Sequence, residues 1–222
     1  MKRLLKPAGF TLIELTVVLS VLVILTLVLA PTIMGWMVEA RIHAAKKETT
    51  VIGEAIARFY QDTGFFPKTA DSVAGRIGQF EVDLLVSKGG IPLPPTGPVR
   101  DSNGRIVNVD VSGWINGSTD LLDNHLQKNI PGYRMKGGPN QYGWAGPYLN
   151  TPEINADPWG NRYMVNIRFL DPSPGVLDAR GQVKNSVWVL SAGPNGIIET
   201  PFAQPVTVGG LTCGDDVPAI IQ

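Results

Sequence analysis

In this 222-residue chain the side chain with the most to do chemically is Glu14, the single ionisable group between residues 10 and 38. A carboxylate at the edge of so apolar a run costs on the order of a few kcal/mol in lipid unless something pairs with it. A cut between Gly9 and Phe10 would create an α-amino cation four residues before Glu14. That cation could meet the same carboxylate of a neighbouring copy, turning the cost of burial into an assembly signal. The chemistry implied is association, not turnover.

Material for catalysis is thin. The two histidines, His43 and His125, sit in no HExxH pattern, and the lone Cys213 leaves no CxxC pair and no intramolecular disulfide. The chain contains no GxSxG, no phosphate-binding glycine loop and no persuasive acid pair, so no enzyme is expected. Nineteen basic residues balance nineteen acidic ones. Without Lys2, Arg3 and Lys6 the remainder is mildly acidic, which argues against nucleic acid as a partner.

The element that must carry Glu14 is clear from composition. Residues 15–38 are 24 uncharged positions, enough to span a bilayer. The basic cluster before them predicts a cytoplasmic N-terminus and an exported remainder. A cleaved secretory signal would need a shorter apolar stretch, and its nearest small-residue site, Val28-Leu29-Ala30, runs into Pro31. A plain anchor would leave Glu14 unexplained. Pro31 lacks a backbone donor, so a kink or local melting is expected there. Beyond residue 38, Ile42, Ala45, Thr49, Ile52, Ile56 and Phe59 recur at helical spacing between charges. Gly64 offers a stop, so one helix over residues 10–62 is expected, membrane-spanning over 10–38 and amphipathic over 39–62.

Residues 6–25, KPAGFTLIELTVVLSVLVIL, resemble the class III leader of type IV pilins and type II secretion pseudopilins. The resemblance implies a leader over residues 1–9, cleavage by a prepilin peptidase after Gly9, N-methylation of Phe10, subunit registration through Glu14, and a helix-loosening role for Pro31. It also implies an α+β fold of the type IV pilin kind, with the long N-terminal helix packed on a small antiparallel β-sheet head.

The head would occupy residues 63–222. Its first part, 65–142, is rich in glycine and proline, has no counterpart in the family pattern, and looks like an enlarged variable region. Ser102-Asn103-Gly104 predicts a turn before a strand over 105–111. Thr119 reads as the cap of a helix to about Asn129, with His125 as a surface or packing residue rather than a ligand. Strands are expected over 162–169 and 186–191, and Trp144, Trp159 and Trp188 as core residues.

Residues 143–149, GWAGPYL, and 157–161, DPWGN, are similar to two signatures of the major pseudopilin of type II secretion. That family closes its C-terminal loop with calcium. At the matching position Asn195, Glu199, Asp215 and Asp216 supply oxygen atoms, and calcium takes 6–8 of them, backbone carbonyls included. An acidic turn held by backbone donors is the plainer alternative. The resemblance thus implies a structural subunit of a periplasmic pseudopilus, anchored in the inner membrane. Its expected partners are copies of itself, the peptidase, minor pseudopilins and the inner-membrane assembly platform. A surface pilus for adhesion or motility is the alternative, disfavoured by the tryptophan motifs and by the absence of a C-terminal cysteine pair.

Overall fold

The computed structural model describes residues 9–67, 82–101, 103–169, 185–205 and 212–221. Residues 1–8 of the expected leader, Ser102 of the expected turn, and parts of the expected variable region and of the C-terminal loop lie outside them. The chain divides into two compact units, residues 1–41 and 42–222.

One helix, α1 (Leu12–Thr63), runs through the division. It is long and apolar enough to cross a membrane, with a mean hydropathy of 2.8 over its most apolar window. In the first unit the large apolar side chains from Phe10 to Val38 are exposed. Helical structure continues through Pro31, so the expected melting does not occur. The proline removes one donor from an otherwise intact ladder, and the flanking leucines and isoleucines keep the helix going.

In the second unit α1 buries Ala45, Thr49, Ile52, Gly53, Ala55, Ile56, Phe59 and Thr63, which is the expected stripe without Ile42 and widened by Gly53, Ala55 and Thr63. Gly53 packs against the sheet, where an added Cβ would lie 3.7 Å from Ile221 and 3.8 Å from Val189. The helix ends as its residues dictate. Gly64 takes φ +78° and its N–H donates to the Tyr60 carbonyl at 2.8 Å, closing the last turn.

The head is a mixed sheet, so the fold is α+β but the sheet is not purely antiparallel. Its strands are β1 (Leu84–Val86), β4 (Thr119–Leu121), β5 (Met164–Val165), β6 (Asn185–Ser191), β7 (Gln204–Pro205) and β8 (Val217–Ile221). They run in the order β4-β1-β5-β6, and β6 pairs with both β7 and β8. The parallel pair is β1 with β4, Leu84 opposite Thr119. A separate two-stranded ribbon joins β2 (Val99–Arg100) to β3 (Ile106–Val107). It is far shorter than the strand expected over 105–111.

Two further expectations are corrected. Thr119 caps no helix: it lies in β4, and the short helix α2 (Leu122–Leu126) starts only after the strand has paired with β1. The strand expected over 162–169 shortens to β5, because Asn166 leaves the ladder. Its side chain accepts the Trp188 N–H at 2.7 Å and donates to the Phe202 carbonyl at 2.9 Å, replacing strand bonds with side-chain ones. A short 3₁₀ turn over Ile167–Phe169 follows. The strand expected over 186–191 is β6, one residue longer at its start.

Candidate functional site

At its N-terminal end the helix carries a capping box. The Thr11 N–H donates to Glu14 Oε2 at 2.9 Å, the Thr11 hydroxyl to the same oxygen at 2.8 Å, and the Glu14 N–H back to Thr11 Oγ1 at 3.3 Å. Within a single chain Glu14 therefore satisfies donors of the first turn. Phe10 precedes it, 85% exposed, and Gly9 lies just outside the helix. Thr11 is a capping residue that the reading of the sequence overlooked. The pattern Thr-x-x-Glu before an apolar run was the signal for it.

The two tryptophan motifs are structural welds. In GWAGPYL the Gly143 N–H donates to the Asp62 carbonyl at 2.7 Å, tying the loop to the end of α1. Trp144 is buried, and its indole N–H donates to the His125 carbonyl at 2.9 Å. Tyr148 lies edge-on to the Trp144 ring at 5.8 Å and donates its N–H to the Leu126 carbonyl at 2.9 Å. Beneath this loop His125 is fully buried. Its Nδ1 stands 2.6 Å from the Tyr133 hydroxyl and its Nε2 3.1 Å from Asp120 Oδ2. It is a packing residue with both ring nitrogens engaged, as expected. Burial pushes the Asp120 carboxyl up, but bonds from His125, Leu121 and Asn124 outweigh that and hold it below the usual range.

In DPWGN, Asp157 Oδ1 accepts the N–H groups of Trp159 at 3.0 Å and Asn161 at 2.8 Å, while Oδ2 accepts the Ser191 hydroxyl at 2.6 Å. The motif thus props the end of β6 where the C-terminal loop begins. Trp188 is buried in the sheet as expected, whereas Trp159 is only half-buried beside its turn.

The four oxygen-bearing residues of that loop come together. Asp216 Oδ2 accepts the N–H groups of Glu199 at 2.9 Å and Thr200 at 2.7 Å, and Asp215 Oδ2 accepts the Asn195 N–H at 3.1 Å. The Asn195 amide points at Glu199 Oε2 from 3.4 Å. Gly214, at φ +62°, closes the cluster, since a Cβ there would overlap the Glu199 carboxylate. Asp215 Oδ1 and Asp216 Oδ1 are buried and accept no hydrogen bond. Burial pushes the Asp216 carboxyl up to about 7, and burial together with the Glu199 charge raises Asp215. Among the described residues no ion pair reaches these acids, and no trio of His, Cys, Asp and Glu side chains stands as a ready metal cage.

Comparison of the chain with protein-family models, with curated proteins and with solved structures gives no match. The geometry therefore has to carry the functional argument. The chain has a span-length apolar helix whose one acid sits in a capping box. It also has a head welded to the end of that helix and a crowded acidic loop beside β6.

Proposed function

We propose that this chain is a structural subunit of a type II secretion pseudopilus, processed by a prepilin peptidase and assembled from the inner membrane into a periplasmic filament that helps move proteins outward. The single observation that carries the reading is the first part of α1. It exposes its large apolar side chains on every face and contains one carboxylate, Glu14, near its start. Such a surface needs lipid before assembly and other copies afterwards. Cleavage after Gly9 supplies the Phe10 amine, and the Glu14 carboxylate, released from Thr11, pairs with that amine on an adjacent subunit. The head then presents its outer surface to the periplasm.

In the same reading the acidic loop holds calcium. Two orphaned, buried carboxylate oxygens in a cluster without a cation match a hard cation that takes carboxylates, amide and main-chain carbonyls and water together. Asp215 and Asp216, with Glu199 and Asn195, would hold it. The ion would neutralise the cluster and pin the loop between β6 and β8. Calcium does not require three carboxylates in a cage, so the absence of such a trio among the described residues is compatible with this site.

Two experiments test the reading. Gly9 replaced by leucine should leave the chain at precursor size on a gel, and a mature-sized product would contradict the processing step. Titration of the detergent-solubilised full chain with calcium should raise its unfolding temperature, and Asp215→Asn with Asp216→Asn should abolish that rise. An unmoved transition at millimolar calcium sinks the cation site and leaves the filament reading standing.

A further inference from the structure

The segment between Lys88 and Arg100 has no charge, and its backbone is tied down at Gly90 and Leu93. The Gly90 N–H donates to the Gly160 carbonyl at 2.9 Å, and the Gly90 carbonyl accepts the Arg162 N–H at 2.9 Å. The Leu93 N–H donates to the Gly196 carbonyl at 3.0 Å, and its carbonyl accepts the Ile198 N–H at 2.9 Å. Pro92 is buried between them, so Ile91 and Leu93 both face outward, 59% and 66% exposed. Two large apolar side chains on a backbone already immobilised by hydrogen bonds and prolines lose little entropy on binding. They form a rigid apolar ridge.

The same head contains a groove of about 420 Å³ between α1 and the 149–156 loop. Ile52 and Ile154 form its buried floor, and Val51 and Leu149 are among its apolar walls. The charged residues lining it are Glu48, Glu153 and Lys47. Glu153 already accepts from Lys88 of its own chain. Glu48 accepts the Tyr163 hydroxyl, and among the described residues no cation pairs with it. Further along the segment the exposed Arg100 donates through Nη1 to the Gly104 carbonyl of its own chain at 2.9 Å and keeps its positive charge, while the groove is edged by the acid Glu48.

We propose that the occupant of this groove is a second copy of this chain, with Ile91 and Leu93 of one copy seated against Val51 and Leu149 of the next and Arg100 facing Glu48. The inference rests on the filament reading only in naming a second copy as the partner. Repeated head to tail, ridge into groove, this contact propagates into an open helical array, whereas two copies each seating a ridge in the other's groove would close as a two-fold dimer. It would add a head-to-head contact to the one made by the apolar helices.

The test is disulfide trapping in membranes containing the full chain. Two copies are co-expressed, one carrying Leu93→Cys and the other Val51→Cys, since Cβ atoms must come within about 3.5–4.5 Å to cross-link. The native Cys213 is buried and does not compete. Mild oxidation should give a band at twice the monomer mass, lost when Arg100→Glu is added, and absent when Ile130→Cys, an exposed position elsewhere on the head, replaces Val51→Cys. No such band from thiols that both label with a maleimide overturns the proposal, and so does an equal band in the Ile130 control. Electron microscopy of the same membranes separates the two readings. Fibres without the cross-link reject this groove and keep the filament, whereas the cross-link without fibres keeps the contact and rejects the filament.

Discussion

The two parts of α1 are one helix in secondary structure and two different objects in chemistry. Residues 10–38 expose leucine, isoleucine and valine all round and keep a single acid, whereas from Ala45 onward a narrow stripe is buried and charges fill the opposite face. What separates them is the pattern of apolar residues, all round in the first part and one stripe in the second. The first part asks for lipid or for other helices. The second part brings its own partner, the sheet, and meets it closely at Gly53.

That contrast can be broken most sharply by a charge. Leu22→Arg places a guanidinium in the middle of the apolar part, at a cost of about 2.5–3.5 kcal/mol on the insertion scale. It should shift the chain from the membrane to the soluble fraction on alkaline extraction while the head keeps its fold. The complementary change is Phe59→Ala. Phe59 is fully buried beside Tyr133 and Tyr148, and its loss should cost about 3–5 kcal/mol of head stability in a denaturant titration without altering membrane association. If both variants gave the same phenotype, the division of labour within the helix would be wrong.

A smaller effect sharpens the comparison at its N-terminal end. Glu14→Ala removes the capping box and should lower local helix stability by about 0.3–1 kcal/mol. Leader processing should continue and incorporation into filaments should fail. Normal incorporation of that variant would count against the pairing argument.

The smallest expected effect concerns the weld at the end of α1. The folded-state pKa of Asp120 is depressed, so its contribution to stability is present above its unfolded value and is lost as pH falls through the folded one. The gap in unfolding temperature between the native chain and Asp120→Asn should therefore be fully developed at neutral pH and shrink toward zero on acidification below about pH 4. A gap that widens in acid would reverse the sign of the argument.

What could be seen in the sequence was whatever is local. The long apolar stretch, the buried stripe and the Gly64 stop follow from spacing and residue type within one helix, and the structure contains them. The clustering of Asn195, Glu199, Asp215 and Asp216 could be anticipated from residue types and a family pattern, although the closing role of Gly214 could not. What escaped was decided at long range. Thr119-Asp120-Leu121 has the start of a helix in its residue types, yet it becomes a strand because β1, 35 positions earlier, offers a parallel ladder. The Glu48–Tyr163 bond and the His125 network likewise join residues that no periodicity connects. Pro31 teaches the opposite lesson, since of the expected kink or local melting the melting does not occur: the helix runs on through the proline.

The most direct test of the central claim is quantitative proteomics of culture supernatant and periplasm from cells lacking this chain, against cells in which it is restored. The account predicts that specific exported proteins vanish outside and accumulate in the periplasm, and that the restored chain reverses both. An unchanged set of secreted proteins, together with loss of sheared surface filaments, would contradict it and make the chain a surface pilin.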